Sequence, residues 1–305
     1  MYRSHCLGSR EEESCETRRC EHARLDRTGR LLQMNGGPVK ARAYGLRVAL
    51  LVAAAVGCAL AAVLLPPFAQ PQSYHHFADT RTILGIANAF DALSSVPMLL
   101  VGIAGLVLVG RGRRGMFADP AERWAYAVFF AGAAFTGIGS TYYHLAPDDA
   151  RLVWDRLPMT VVFTSLLAAI IAERVDTKAG VRLVAPVVTL GIASVVYWRW
   201  STTAGAGNIV PYVVTQLGSF VLAALRVALF PSHYTHAGRL TTAVALYVVA
   251  KLAELLDAWL YSLGHLVSGH TLKHLLAACA LYQVLRMLRE RSTVGSTLVR
   301  AGSAA

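Results

Sequence analysis

Eight apolar runs of about twenty residues dominate this 305-residue chain. A helix of roughly twenty apolar residues is long enough to cross the ~30 Å hydrocarbon core of a bilayer. Only 15% of the residues are charged, against roughly 25% in an ordinary soluble domain. The runs therefore predict an all-α, polytopic membrane helical bundle, with spans near residues 46–65, 91–110, 123–143, 154–172, 183–199, 209–229, 239–262 and 270–288.

The apolar runs and the polar stretches around them divide the chain into four parts. Residues 1–44 are polar, charged and poor in aromatic residues, which predicts a disordered cytoplasmic tail. Residues 45–66 are predicted to form one extra N-terminal transmembrane anchor, because no clean cleavage site of a signal peptide follows them. Residues 67–290 form a core of seven transmembrane spans, and residues 291–305 form a cytoplasmic C-terminal tail.

The N-terminal tail contains three cysteines and a histidine: Cys6, Cys15, Cys20 and His22. Their spacing matches no familiar zinc finger, so a metal site is not favoured there. A basic stretch and the first span follow Met34, so translation from Met1 and translation from Met34 both stay open.

The formal net charge of +11 is spread over short connections and both tails. Basic connections are what the positive-inside rule predicts for a membrane protein, so no nucleic-acid partner is inferred. Several basic residues lie on connections that share a side with both tails: Arg111, Arg113, Arg114, Arg174, Lys178, Arg182 and Arg239. Both termini are therefore predicted to be cytoplasmic, in a bacterial inner membrane or an equivalent plasma membrane.

This topology brings five polar side chains together near the extracytoplasmic face. The third span ends there with Ser140 and His144. The fourth span begins there with Asp155, and the last begins there with His270 and His274. Residues four apart share a helix face, so two such histidines can bind one ion and a third from a facing helix completes the set. Three protein ligands are typical of catalytic zinc, whereas structural zinc normally has four; imidazole also binds other transition metals, so zinc is the first choice among several.

Three motifs carry a resemblance to a known family. They are S-x-x-x-H at residues 140–144, an aspartate eleven residues after His144, and H-x-x-x-H at residues 270–274. Their order and placement resemble the alkaline ceramidases, which belong to a superfamily of seven-span zinc hydrolases that also includes the adiponectin receptors and hemolysin III. The resemblance runs from about Phe77 to Arg286. It implies a ceramidase-like catalytic domain that cleaves the N-acyl bond of ceramide-like membrane lipids to a fatty acid and a sphingoid base.

The resemblance also implies a role for each of the five polar residues. His144, His270 and His274 would hold Zn²⁺. Ser140 would stabilise the developing oxyanion or orient the attacking water. Asp155 would act as the general base and pass the proton to the leaving amine.

Alkaline ceramidases also have a calcium site ahead of their first core span. The corresponding stretch here, FADTRTILGIANAFDALSS, offers Asp79, Asn88 and Asp91 as oxygen ligands for Ca²⁺. The acidic cluster is shorter than in the family, and Arg81 lies among the predicted ligands. A polar loop in which Asn88 caps a helix is the alternative.

Two other readings of the function stay open on the sequence. An acyl-ester lipid hydrolase of a related branch would use the same metal, since nothing separates amide from ester. A lipid-binding receptor or scaffold would use a structural metal, and a fourth protein ligand such as Asp155 would favour it. In the seventh span, Lys251 and Glu254 are expected to neutralise each other, and Asp257 is a possible partner of a ligand histidine.

Overall fold

The computed structural model describes residues 24–25, 31–32, 38–113 and 115–294, with side chains from residue 42 onward. The N-terminal cysteines, and with them most of the predicted tail and the last residues of the chain, lie outside these ranges. The chain divides into two compact units, residues 1–50 and 51–305. In the first, strands β1 (Arg24–Leu25) and β2 (Leu31–Leu32) pair antiparallel. Helix α1, Pro38–Leu64, begins earlier than the span predicted from residue 46.

Helices also occupy each of the other predicted apolar runs. In chain order they are α2 (Ala89–Leu93), α3 (Val96–Arg111), α4 (Arg123–Leu145), α5 (Asp149–Arg174), α6 (Thr177–Thr203), α7 (Val210–Leu229), α8 (Gly238–Leu255), α9 (Asp257–Ser262) and α10 (Gly269–Glu290). Single 3₁₀ turns lie at Gln72–His75 and Pro120–Glu122. Residues 51–294 are therefore an all-α helical bundle, as the apolar pattern predicts.

Two predicted spans are each divided into two helices. The run predicted at 91–110 is broken at Ser94 and Ser95, where α2 ends and Pro97 in the first turn starts α3. Proline is favoured in a first helical turn because its missing N–H would have no intrahelical partner there. The run predicted at 239–262 is broken at Leu256, between α8 and α9.

Five segments of the described chain are long and apolar enough to cross a membrane. They are Arg42–Leu64, Ala89–Arg111, Asp149–Arg174, Thr177–Thr203 and Val210–Leu229. Helices α4, α8 and α10 are not among these five segments. Two of these three helices, α4 and α10, carry the predicted histidines, and α8 carries Lys251 and Glu254.

Side-chain caps fix the start of two helices that carry site residues. The Asp148 carboxylate accepts a hydrogen bond from the backbone N–H of Arg151 at 2.7 Å, which begins α5. The Ser268 hydroxyl accepts one from the backbone N–H of Thr271 at 3.0 Å, which begins α10. Such caps satisfy N–H groups that have no partner within the helix, and they set which residues face the bundle.

Helix α4 packs on α3 and α5 through glycines. A Cβ atom added at Gly137 would lie 2.5 Å from the backbone nitrogen of Leu99 in α3. One added at Gly139 would lie 1.9 Å from the backbone oxygen of Trp154 in α5. Small residues allow membrane helices to approach this closely. The residue after Gly139 is Ser140, so the same contact positions a candidate site residue.

We expect Gly139→Ala to destabilise the protein by about 1–3 kcal/mol or more, the usual cost of overpacking. The added methyl group would lie 1.9 Å from the Trp154 carbonyl oxygen, so α4 would have to move away from α5. Gly110→Ala in α3 is the control, because nothing lies within 4 Å of its added Cβ. Thermal unfolding of both purified variants in detergent measures the difference, and equal midpoints would contradict the tight α4–α5 contact.

Candidate metal centre

Three histidines from α4 and α10 converge inside the bundle. His144, His270 and His274 are 1%, 4% and 4% exposed. One ring nitrogen from each lies within 4.8 Å of those of the other two, and no other such group of three His, Cys, Asp or Glu residues occurs in the described ranges. The Nε2 atoms of His144 and His270 are 3.3 Å apart. Two nitrogens bound at ~2.0–2.1 Å to one tetrahedral zinc ion would be separated by about 3.3–3.4 Å, so this pair fits a shared ion.

Hydrogen bonds show which ring nitrogens carry lone pairs. His274 Nδ1 lies 3.1 Å from the backbone oxygen of Asp91 and 2.9 Å from Ser94 Oγ. A carbonyl oxygen only accepts, so Nδ1 donates its proton and Nε2 keeps its lone pair. The Lys273 ammonium only donates, and it lies 2.9 Å from His270 Nε2, so this nitrogen is also unprotonated. Its lone pair accepts the Lys273 N–H, and a metal ion bound there would replace that hydrogen bond. Both rings are therefore in a form that can ligate a cation.

His144 is held mainly by packing. Its Nδ1 has no hydrogen-bond partner among the described residues. The Phe77 ring packs on His144 and His270, with centroid distances of 4.7 and 4.4 Å. The backbone carbonyl of His144 accepts a hydrogen bond from Asn88 Nδ2 at 2.8 Å. This carbonyl lies in the last turn of α4, where carbonyls have no partner within the helix.

Ser140 and Asp155 lie beside the histidines. Ser140 Oγ is 3.5 Å from His274 Nε2. Asp155, which is 7% exposed, is close enough to Ser140 to interact with it electrostatically. Both residues line the same cavity as His274. The structure thus brings together the five residues that the sequence predicts at one depth, from α4, α5 and α10.

The cavity beside this cluster has a volume of about 310 Å³. Its lining includes charged and polar side chains, among them Gln70, Tyr74, Arg156, Gln216, Glu254 and Lys273. A second, almost entirely apolar cavity of about 110 Å³ lies among α3, α4, α5, α7, α8 and α10. The two cavities share lining residues, including Met98, Thr136, Met159 and Tyr247. A polar chamber therefore adjoins an apolar one, which suits an amphiphilic ligand.

One of the predicted calcium ligands, Asp79, is already paired. Arg81 donates from Nε and Nη2 to its two carboxylate oxygens at 2.8 and 2.6 Å. Burial raises the pKa of Asp79, but the hydrogen bonds and charge of Arg81 outweigh burial and hold that pKa below its usual value. Asp79 is thus an ionised partner of Arg81 in this structure.

The other two predicted calcium ligands also have protein partners. Asp91 Oδ1 accepts hydrogen bonds from the Thr271 hydroxyl at 2.6 Å and the Ser268 hydroxyl at 3.2 Å. Asn88 is the N-cap residue of α2, as the alternative reading expected, but its side chain makes no cap bond and instead holds the His144 carbonyl. Calcium binding by Asp79, Asn88 and Asp91 stays a prediction.

The site also contains two polar residues that the sequence analysis did not single out, Lys273 and Ser94. Lys273 lies 3.0 Å from Glu254 Oε1, and Glu254 also pairs with Lys251, so the expected pair is part of a three-residue ionic cluster. Ser94 contacts His274, as described above. A lysine inside a predicted span is costly and usually functional, and this signal could have identified Lys273. No comparable signal marked Ser94.

Asp257 supports the site through the backbone. Its Oδ1 accepts a hydrogen bond from the His270 N–H at 2.7 Å, and its Oδ2 accepts one from the Ala78 N–H at 3.0 Å. Asp257 was expected to be a partner of one of the candidate ligand histidines, and it does contact His270. The contact is to the free N–H of the first turn of α10, and not to the imidazole ring.

No protein-family model, curated protein or solved structure matches this chain. The fold and the site therefore define the class by themselves. The chain is a multi-helix membrane protein with a buried three-histidine cluster that could hold a metal ion. This is consistent with a hydrolase of the seven-span zinc superfamily.

Proposed function

We propose that this protein is a zinc-dependent membrane amide hydrolase that cleaves the N-acyl bond of ceramide-like lipids to a fatty acid and a sphingoid base. The observation that carries the proposal is the convergence of three buried histidines beside Ser140 and Asp155 at the wall of one cavity. The cluster has three His, Cys, Asp or Glu members within the described residues. Three is the number found in catalytic zinc sites, which favours a hydrolase over a receptor with a structural metal.

The proposed membrane arrangement has eight spans. Residues 67–290 form the seven-span catalytic core, and α1 forms the N-terminal anchor. Both termini lie in the cytoplasm, and the histidines lie near the extracytoplasmic face. The support is that every predicted run is helical and that the basic connections alternate with weakly charged ones.

The side chains around the histidines have matching chemical roles. Zinc bound by the three imidazoles would supply a Lewis acid that activates water and polarises the scissile carbonyl. Asp155 accepts the proton from the attacking water and delivers it to the leaving amine. The Ser140 hydroxyl donates to the oxygen on which negative charge develops. The apolar cavity next to the polar chamber, with a volume of about 110 Å³, takes the part of the acyl chain nearest the scissile bond.

A panel of labelled lipids tests the proposal. Purified protein is incubated with ceramides and with acyl esters of the same chain length, before and after chelation. We expect amide hydrolysis that chelation removes and added Zn²⁺ restores. Ester hydrolysis without amide hydrolysis would instead support the related ester hydrolases, and no turnover of either class would contradict a hydrolase.

We expect Ser94→Ala to weaken zinc binding by about 10- to 100-fold, the usual effect of losing a group that orients a ligand histidine. The reason is that Ser94 Oγ lies 2.9 Å from His274 Nδ1, the nitrogen opposite the one that would bind zinc. The control is Ser165→Ala, because the buried Ser165 hydroxyl bonds only to carbonyls of its own helix. Chelator competition measures the affinities, and equal values for the two variants would show that Ser94 does not position the ring.

A further inference from the structure

Arg156 is a buried cation in the wall of the candidate active-site cavity. It follows Asp155 on α5, is 3% exposed, and lines the same cavity as Asp155 and His274. Its guanidinium carbon lies 4.3 Å from the ring centre of Trp198, 4.6 Å from that of Tyr212 and 5.4 Å from that of Tyr74. The side chain is therefore held in place by aromatic rings from other parts of the bundle.

The hydrogen bonds of Arg156 are incomplete. Nη2 donates to the Gln70 side-chain oxygen, whereas Nη1 is buried and has no hydrogen-bond partner among the described residues. Arg291, another buried arginine, instead has its charge balanced by an ion pair with Glu173 at 2.7 Å. No carboxylate in the described ranges forms such an ion pair with Arg156. A buried charge without a counter-charge is unfavourable, and aromatic rings attract the cation without accepting its free N–H groups.

The other charged residues of the cavity do not form an ion pair with Arg156. Lys251 and Lys273 share Glu254, so that carboxylate is already paired twice. Asp155 lines the same cavity but forms no ion pair with Arg156 within the described ranges. Arg156 is thus a buried cation of the lining with an N–H group, on Nη1, that has no partner among the described residues. A guanidinium binds carboxylate and phosphate groups through two parallel N–H donors.

We propose that Arg156, with Gln70 and Tyr74 beside it, forms a subsite for an anionic oxygen group on the headgroup of the lipid substrate. A phosphate or a carboxylate has the required chemistry. This inference rests on the proposed function and narrows its substrate class to N-acyl lipids with an anionic headgroup. A neutral ceramide of equal chain length would leave Nη1 without a partner and would be the poorer substrate.

The test compares a ceramide with its 1-phosphate in the purified full-length protein. The readout is the ratio of kcat/KM for the phosphate to that for the neutral lipid, which is independent of the fraction of folded protein. The wild type is expected to give a ratio above one. Arg156→Gln is expected to lower it by about 10- to 100-fold, the effect of losing hydrogen bonds to a charged group. Arg156→Lys is expected to lie between, because it keeps the charge and loses the planar pair of donors.

Arg151→Gln is the matched control. It removes a positive charge from the first turn of the same helix, and Arg151 does not line the cavity. The control is expected to keep the wild-type ratio. An unchanged ratio in Arg156→Gln, or an equal fall in Arg151→Gln, would overturn the subsite. Dodecanoate, a fatty-acid product analogue, provides one further outcome. If Arg156→Gln weakened inhibition by dodecanoate but left the ratio of kcat/KM unchanged, Arg156 would bind the fatty-acid product. That result would also overturn the headgroup proposal.

A binding measurement separates this inference from the proposed function. If the wild type hydrolyses neither lipid, the proposed function fails, but the subsite is still tested by thermal stabilisation. Dodecyl phosphate is expected to raise the melting temperature of the wild type more than dodecanol does, and Arg156→Gln is expected to remove the difference. Equal stabilisation of both proteins by dodecyl phosphate would reject the subsite.

Discussion

Replacing His270 with alanine is expected to remove the bound metal and to lower the hydrolytic rate by about 1,000-fold or more. Metal-ion catalysis supplies several kcal/mol of transition-state stabilisation, and each ~1.4 kcal/mol corresponds to a factor of ten in rate. His270 provides a lone pair 3.3 Å from His144 Nε2, and its loss leaves two of the three histidines of the cluster. Metal content per chain and ceramide turnover are measured on the same preparation.

His233→Ala is the control for this substitution. His233 is an exposed histidine that follows α7 and is not part of the buried cluster. We expect it to keep the metal content and the activity of the wild type. If His270→Ala retained both a full complement of metal and normal turnover, the metal centre and the hydrolase proposal would have to be abandoned.

Asp155→Asn is expected to reduce turnover by about 100- to 10,000-fold, the usual contribution of a positioned general base. The amide has nearly the same shape as the carboxylate but cannot take up the proton from water. Metal content is expected to stay at the wild-type level, because Asp155 is not among the three converging residues. The pair of measurements therefore separates a catalytic role of Asp155 from a ligand role.

The control for this second substitution is Asp149→Asn. Asp149 lies in the first turn of the same helix and hydrogen-bonds to His75 and Gln72, away from the cavity lining. Its variant is expected to differ little from the wild type. Loss of metal from Asp155→Asn would identify Asp155 as a fourth ligand, and that result would favour a receptor or scaffold with a structural metal.

The helices could be predicted because the signal for them is local. A run of twenty apolar residues has few alternatives to a helix in a bilayer, since backbone groups without partners are costly in lipid. The shared face of His270 and His274 follows from their spacing of four. The prediction that these two histidines lie close to His144 required only that the third span end, and the last span begin, at the same depth in the membrane.

The contacts around the site could not be predicted in the same way. Ser94 and His274 are 180 residues apart in the chain, and their hydrogen bond depends on α2 ending against α10. The break at Leu256 likewise has no proline or glycine to mark it in the sequence. The predicted calcium ligands show the converse, because Asp79 and Asp91 have partners that spacing alone did not reveal.

The sequence by itself determined the class of the fold and the identity of the five residues that meet, because hydropathy and helical periodicity act over one or two turns. Only the tertiary structure decided which nitrogens carry lone pairs, which acids are already paired, and that Arg156 forms no ion pair with the carboxylates of the described residues. The physical reason is that hydrogen bonds and ion pairs depend on distances of about 3 Å between side chains of different helices. Those distances follow from how the helices pack.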